Sequence, residues 1–391
     1  MRRNVAIVGT GQTKYVTRRN DVSFPELAWE AAKRALDDAE LGIDDVDAVV
    51  FATAPEAFEG VNCPDKWAAD AIGAMGKPFM RINTGGATGS SGAHAGIEHV
   101  ASNLFDVVLV LAIQRVGQTP DAQRILNLIW DPVYASSFPL NLPTTMAMTV
   151  SEIMEQHEYT EYHMARISVK NHDNGMNNKY AHIQMRFTVD DVLKSRVIST
   201  PLKLLDCCPR SDGACSIIVA SEERAKKITE TPAWVKGISS ETNIYTPGQE
   251  LISDNFGVTA VRTAYEMAGI DNPRKQIDVV EPYDPFSYME MLYYLSMGFA
   301  KDVKESIKMV ENGFGEMDGE IPFSPSGGVM CSNPIGATAL VRVAEAALQV
   351  MGKAEGHQVP EVRTAMATGV GGSPGPGSAT FFNATILSKE L

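Results

Sequence analysis

Residues 81–96 read RINTGGATGSSGAHAG, a short apolar run that turns through two glycines into a segment of small residues. Phe79, Met80 and Ile82 have the character of a buried strand end, and Ala87, Ala93, Ala95 and Ile97 that of the helix after it. Gly85 and Gly86 then fall at the junction. Glycine permits positive φ and close approach, and the free N–H groups of a helix start make a place for an oxyanion or a phosphate. A plain tight strand-to-helix turn fits the same letters.

Outward from this stretch the pattern repeats. Val5–Val8, Ala48–Phe51, Phe79–Ile82 and Val107–Leu111 read as buried strands, separated by helical periodicity at Phe24–Glu40, Asp65–Met75 and Gly89–Asn103. Strands alternating with helices imply a mainly parallel sheet covered on both faces. A second series starts near Trp234, with a helix at Val258–Ala268, a strand at Ile277–Val280, helices at Phe286–Met297 and Gly336–Met351, and strands near Thr364–Thr368 and Ala379–Ile386. The two series echo each other in letters. Ala35 and Ala39 precede Gly42-Ile43-Asp44, Asp47 and Val49-Val50, as Ala264 and Ala268 precede Gly269-Ile270-Asp271, Asp278 and Val279-Val280. An internal duplication accounts for the echo.

Composition narrows the classes. The 391 residues are 44% hydrophobic, and no apolar run is long enough to span a bilayer, so a soluble globular protein is expected. Met1-Arg2-Arg3 leads straight into Val5-Ala6-Ile7-Val8, too short for a secretory core and better read as the first strand, which makes a cytoplasmic location the expectation. Five cysteines, with Cys207, Cys208 and Cys215 close together, form no C-x-x-C pair, so reduced thiols and no metal site are expected. Cys207 and Cys208 read as buried and structural. A net charge of −14 repels nucleic acid and anionic membranes, so a phosphate-bearing ligand needs a local basic patch. Thr119 to Pro201 reads as an insertion rich in Met, Asn, His and aromatic residues. Its Met146, Met148 and Met154 suit an acyl chain, a partner or the filling of a core.

The run Asn83-Thr84-Gly85-Gly86-Ala87-Thr88-Gly89-Ser90-Ser91 resembles the thiolase superfamily, in particular the sterol-carrier-protein type, whose equivalent turn reads N-x-x-C-A-T-G-S-S. Gly86 stands where that family has its nucleophilic cysteine, and a hydrogen atom cannot form an acyl-thioester. Cys207 to Ala214 is similar to the family's C-x-x-x-D-G-A run. The resemblance implies an α/β thiolase fold: two duplicated βαβαβαββ halves in a five-layered α-β-α-β-α arrangement. Residues 1–118 and 202–228 would form the first half, 119–201 an inserted loop subdomain, and 229–391 the second half.

Three loops of the second half correspond to those that thiolases bring to the turn. Glu281-Pro282-Tyr283-Asp284-Pro285-Phe286 stands at the family's H-D-C-F motif, with Tyr283 for the histidine. A phenol there can donate to an enolate or oxyanion, serve as a base if its pKa is lowered, or simply pack beneath the loop. Ser324 to Thr338 is similar to G-G…G-H-P-x-G-A-T, with Asn333 for the second histidine. The amide of Asn333 can polarise a thioester carbonyl, and Cys331 is the one thiol nearby that could replace the nucleophile. Thr368 to Gly377 carries no cysteine, but Gly371 and Gly372 can, with Gly86, offer backbone N–H groups to an oxyanion.

What the resemblance implies for function stays open among three readings. One is thiolase-type cleavage or formation of a C–C bond in a β-ketoacyl-CoA by direct attack of coenzyme A, without acyl-enzyme. It is similar to atypical thiolases, including those for benzoylsuccinyl-CoA in aromatic degradation, that work with a small zinc-ribbon and OB-fold partner. Another is a retro-aldolase on a β-hydroxyacyl-CoA, as in steroid side-chain enzymes with a Y-D-x-F loop, which Tyr283-Asp284-Pro285-Phe286 matches. The third is an inactive acyl-CoA-binding scaffold. A homodimer through the region of Val107–Leu111 is expected in each case, because a half alone leaves a sheet edge uncovered.

Overall fold

The computed structural model describes residues 3–133, 135, 137–138, 140–243, 256–372 and 380–391. Nine strands form the main sheet: β1 (Val5–Gln12), β2 (Ala48–Ala52), β3 (Phe79–Ile82), β4 (Val107–Arg115), β5 (Asp212–Ser221), β6 (Ala233–Thr242), β7 (Val279–Glu281), β8 (Thr364–Gly371) and β9 (Phe381–Ser388). Nine of the helices are used below: α1 (Phe24–Asp38), α2 (Asp65–Ala71), α3 (Thr88–Ala101), α4 (Leu142–Gln156), α5 (Glu161–Gly175), α6 (Val258–Ala268), α7 (Met289–Ser296), α8 (Val303–Glu311) and α9 (Ile335–Met351). The strand order is β3-β2-β4-β5-β1-β6-β9-β8-β7.

That order is a mirror. From its middle outward, β1, β5, β4 and β2 on one side correspond to β6, β9, β8 and β7 on the other. Where β3 has its counterpart, Phe323 makes a parallel bridge to Val280. Within the sheet the two halves meet where Ala6 lies opposite Trp234 and Ile7 opposite Ala233. The duplication inferred from letters is thus a duplication of topology.

Alternation along the strands builds three cores, and three cores between the two halves of the sheet and their helices make five layers. Ala6, Val8, Val49, Phe51, Leu109 and Leu111 face outward against Leu27, Ala28, Ala31 and Ala35 of α1. Their neighbours Val5, Ile7, Val50, Val108 and Val110 face inward, where they meet Ala93 and Ile97 of α3 and Leu340, Val343 and Ala347 of α9. Val280, Met366, Ala384 and Ile386 face the opposite outside, packing with α6, α7 and α8. Local chemistry agrees with this plan. At α1, Ser23 and Glu26 cap each other, the Ser23 N–H donating to Glu26 Oε2 at 2.7 Å.

Two expectations need correction. Val107–Leu111 is no edge: β4 pairs with β2 on one side and β5 on the other, and its residues 107–113 are buried. Its backbone groups are already satisfied, so a second copy cannot add to it. β3 is the open edge of the first half, and Met80, read as part of a buried strand end, is 45% exposed.

The long excursion between β4 and β5 lies over the second half. Met146, Val150 and Ile153 of α4 and Met164 and Ile167 of α5 join the same core as Tyr288 and Met289. Its methionines divide: Met146 is buried, Met154 packs against that core and Met148 is exposed.

Candidate active site

β3 ends at Ile82, and Gly85–Ala87 form one tight turn before α3 begins. Gly85 has φ 62°, the left-handed region that favours glycine. Small residues continue into α3 because α9 lies against it. A Cβ on Gly89 would stand 2.3 Å from the backbone nitrogen of Leu340. At Gly86 a Cβ would stand 2.5 Å from the carbonyl oxygen of Val370 and 3.0 Å from the hydroxyl of Tyr283. The space in which a cysteine would begin is therefore occupied by β8 and by the phenol.

The turn forms one wall of a cavity of about 570 Å³. Gly86, Tyr283, Asn333, Gly371 and Gly372 all line it, together with Asn83, Cys207 and Cys208. The rest is mostly apolar and includes Ile129, Met146, Phe256, Phe286, Tyr288, Met289, Leu292 and Phe381. Arg210 is the one charged side chain among the described lining residues, and it is exposed. The third loop reaches the turn closely: a Cβ on Gly371 would lie 2.4 Å from both Ala87 N and Thr84 O. Its residues Ser373–Gly377 lie outside the described residues.

Tyr283 is fixed from both sides. Its N–H donates to Thr368 Oγ1 at 3.0 Å, and its carbonyl accepts from the Tyr293 hydroxyl at 2.7 Å. Glu281, two residues earlier, accepts from Arg342 of α9 at 2.6 Å and from the N–H and hydroxyl of Ser326 at 3.0 and 2.8 Å. This buried ion pair with its extra hydrogen bonds joins the first loop to the second and to α9, and removing either partner would leave an uncompensated charge. Burial lifts the Tyr283 phenol well above its ordinary pKa; the nearby Cys208 adds to this, while Arg342 and Thr338 oppose it. A phenol so placed favours its protonated form, which suits a hydrogen-bond donor.

Asp284 beside it is pushed up to about 7, first by burial and then by Glu290, with Lys170 and Arg342 opposing. The carboxyl accepts from Asn171 Nδ2 at 3.1 Å and from the Ser324 hydroxyl at 3.2 Å.

Asn333 has a defined orientation. Its Oδ1 accepts from the Thr338 hydroxyl at 2.8 Å, which turns Nδ2 towards Cys208 Sγ at 3.0 Å. Its backbone is tied to Ser211 in both directions, at 3.1 and 3.2 Å. The Cys208 N–H in turn donates to Pro285 O at 2.9 Å, so the segment around Cys208 is clamped between the first and second loops. Burial pushes the Cys208 thiol up to about 12, the Asn333 hydrogen bond working against it.

Cys207 and Cys208, read as buried and structural, are in fact half-buried and face the cavity. The sequence signal that could have found them is their place just before Ser211-Asp212, where the chain passes the site to enter β5. Cys331 is not brought to the cavity. It is fully buried, its thiol contacts Asn171 O at 3.4 Å, and its carbonyl accepts from the N–H groups of His182 and Ile183. A Cβ on Gly175 or Gly327 would stand 2.5 or 2.9 Å from its sulfur, and burial raises its pKa.

A glycine turn, a buried phenol and an oriented amide at the end of an apolar cavity suit the polarising of carbonyl groups. The chain belongs to the thiolase family: the model for "Thiolase, N-terminal domain" matches residues 5–223 and that for "Thiolase C-terminal domain-like" residues 238–381. It is 31% identical to an acetyl-CoA acetyltransferase of Methanothermobacter thermautotrophicus, over 97% of this chain and 100% of that protein. Sterol carrier protein 2 of Homo sapiens is 29% identical over 95% of this chain and 71% of its own length. Among solved structures, an Ltp2-ChsH2(DUF35) aldolase superposes with a TM-score of 0.84 at 24% identity, over 99% of this chain and 98% of that one. Thiolase-type acyl-CoA chemistry is the general class of activity these matches support.

Proposed function

We propose that the protein cleaves or forms the C–C bond of a β-ketoacyl-CoA with coenzyme A as the direct nucleophile and no acyl-enzyme. The observation that carries this is the filled space at Gly86, where Val370 O and Tyr283 stand in place of a nucleophile. In the cleavage direction, the thiolate of coenzyme A adds to the ketone, and the resulting oxyanion is held by the N–H groups around Gly86, Gly371 and Gly372. Collapse breaks the C–C bond and leaves the enolate of a shorter acyl-CoA. Tyr283 donates to that enolate oxygen, and Asn333 Nδ2 supports the same carbonyl end. Because no imidazole ionises the attacking thiol, the rate should rise with pH towards the thiol's own pKa.

The apolar, partly aromatic lining supports a bulky acyl group, aromatic groups of the benzoylsuccinyl kind included, and Arg210 offers a cation, the one among the described lining residues, for an anionic part of the substrate. The aldolase reading has the Tyr283-Asp284-Pro285-Phe286 loop and the aldolase likeness in its favour. Against it, a retro-aldol step needs a base for the β-hydroxyl, a role that the burial of Tyr283 disfavours. A DUF35-type partner, as the name of that aldolase complex carries, and a zinc-ribbon/OB-fold protein in particular, would dock on the insertion, where Leu128, Val133 and Phe138 are exposed. The described cysteines are all free thiols, which supports a cytoplasmic setting.

The test is turnover of β-ketoacyl-CoA esters with and without coenzyme A. Tyr283→Phe should lose activity by about 10²- to 10⁴-fold, as on removal of a general acid. Cys331→Ala should stay within about tenfold of the parent, since its thiol lies outside the cavity. A covalent acyl adduct on any cysteine, seen by intact-mass measurement, would overturn the direct-attack mechanism.

A further inference from the structure

Cleavage of a β-ketoacyl thioester sets two proton tasks. The enolate oxygen needs a donor while the bond breaks, and the carbon it leaves needs a proton afterwards. A donor to oxygen lies near the plane of the carbonyl, whereas the proton for carbon must arrive from the face of the enolate. One phenol with one proton cannot do both in a single turnover.

A second ionisable group lines the same cavity. Cys208 lines the cavity, packs in the same small cluster as Tyr283 and Val370, and accepts a hydrogen bond from Asn333 Nδ2 at 3.0 Å. Its backbone is fixed by Pro285 on one side, and Ser211, three residues on, is locked to Asn333 on the other. We propose that Cys208 is the acid that protonates the substrate carbon. The enolate's electron pair forms the new C–H bond, the S–H bond breaks, and the sulfur is left as a thiolate. That thiolate is held by the Asn333 amide and regains a proton from water at the half-buried site. In the synthetic direction the same sulfur, as thiolate, takes the proton from carbon. A thiol whose ordinary pKa is raised by burial keeps its proton until the enolate forms, which suits a donor and disfavours a nucleophile.

The inference rests on the thiolase-type reading, and the experiment separates the two. The parent, Cys208→Ala and Cys208→Ser are compared for turnover of a β-ketoacyl-CoA, and for exchange of the Cα protons of acetyl-CoA with deuterium oxide. Melting temperature and KM are measured alongside. For Cys208→Ala, kcat and deuterium exchange should each fall by about 10²- to 10⁴-fold. KM and melting temperature should hold. Cys208→Ser, which keeps the shape with a far weaker acid, should fall in the same way and stands in if the alanine variant does not fold. An active parent whose variants exchange at the parent rate overturns the role of Cys208. So does a loss that appears in KM alone, since that assigns the thiol to holding Asn333. A parent that neither turns over nor exchanges removes the functional reading itself.

Discussion

At the scale of single residues, Gly86 decides the chemistry by what surrounds it. A glycine that had merely lost a side chain would leave a void, and restoring the cysteine would refill it. Here Val370 O lies 2.5 Å and Tyr283 Oη 3.0 Å from the Cβ position, so a cysteine must displace backbone of β8 or the phenol. Gly86→Cys should therefore gain no acyl-enzyme and lose about 1–3 kcal/mol of stability to overpacking. Intact mass after incubation with an acyl-CoA, together with a melting curve, checks both parts. An acylated, fully stable variant would show the site still ready for the ordinary two-step mechanism. Cys208 makes the complementary point, because a residue read as structural stands at the centre of the polar end.

At the scale of elements, three loops from the second half meet one turn from the first, and a buried charged network holds them. Asp284, inside that network, gives it a measurable pH dependence. Its folded-state pKa is raised from 3.8 to about 7, so between those values the folded protein retains a proton that the unfolded chain has lost. Stability contributed this way is present below the lower value and is lost as pH rises through the upper one. Asp284→Asn should flatten that decline, reducing the difference in melting temperature between about pH 5 and pH 8. An unchanged difference would remove Asp284 from the explanation; Glu290, Lys170 and Arg342 are the other charged groups acting on it.

Much at this scale was legible in advance. The α6 helix has the bounds its periodicity gave, and the glycine junction at residues 85–86 lies where the letters put it, because period and turn chemistry are local properties. Burial was legible only where both neighbours of an element follow from the pattern. β3 looked buried because it is apolar, yet it has only one partner strand. The partner of the Asn333 Nδ2, the pKa of Tyr283 and the exposure of Cys208 each depend on groups more than fifty positions away, and no window of sequence contains them.

At the scale of the whole molecule, the open edge is β3, which carries the exposed Met80 and follows the exposed Met75. Unpaired backbone groups beside exposed apolar side chains are the setting in which two copies join strand to strand. Light scattering should give a particle of twice the chain's mass, and Met80→Lys should shift it towards the monomer. A parent that is monomeric at micromolar concentration would reject the dimer altogether.

The pair α3 and α9 at the centre has a consequence for how the chain comes into being. One helix belongs to the first half and the other to the second, and each inner sheet face is finished only by both. A nascent chain that has emerged as far as β5 owns most of its outer core and an open inner one, its apolar surface waiting for residues more than a hundred positions downstream. A first half released without the second would expose apolar surface of the kind that aggregates, however well its own strands pair. Duplication has given this protein two similar halves without giving it two independent ones.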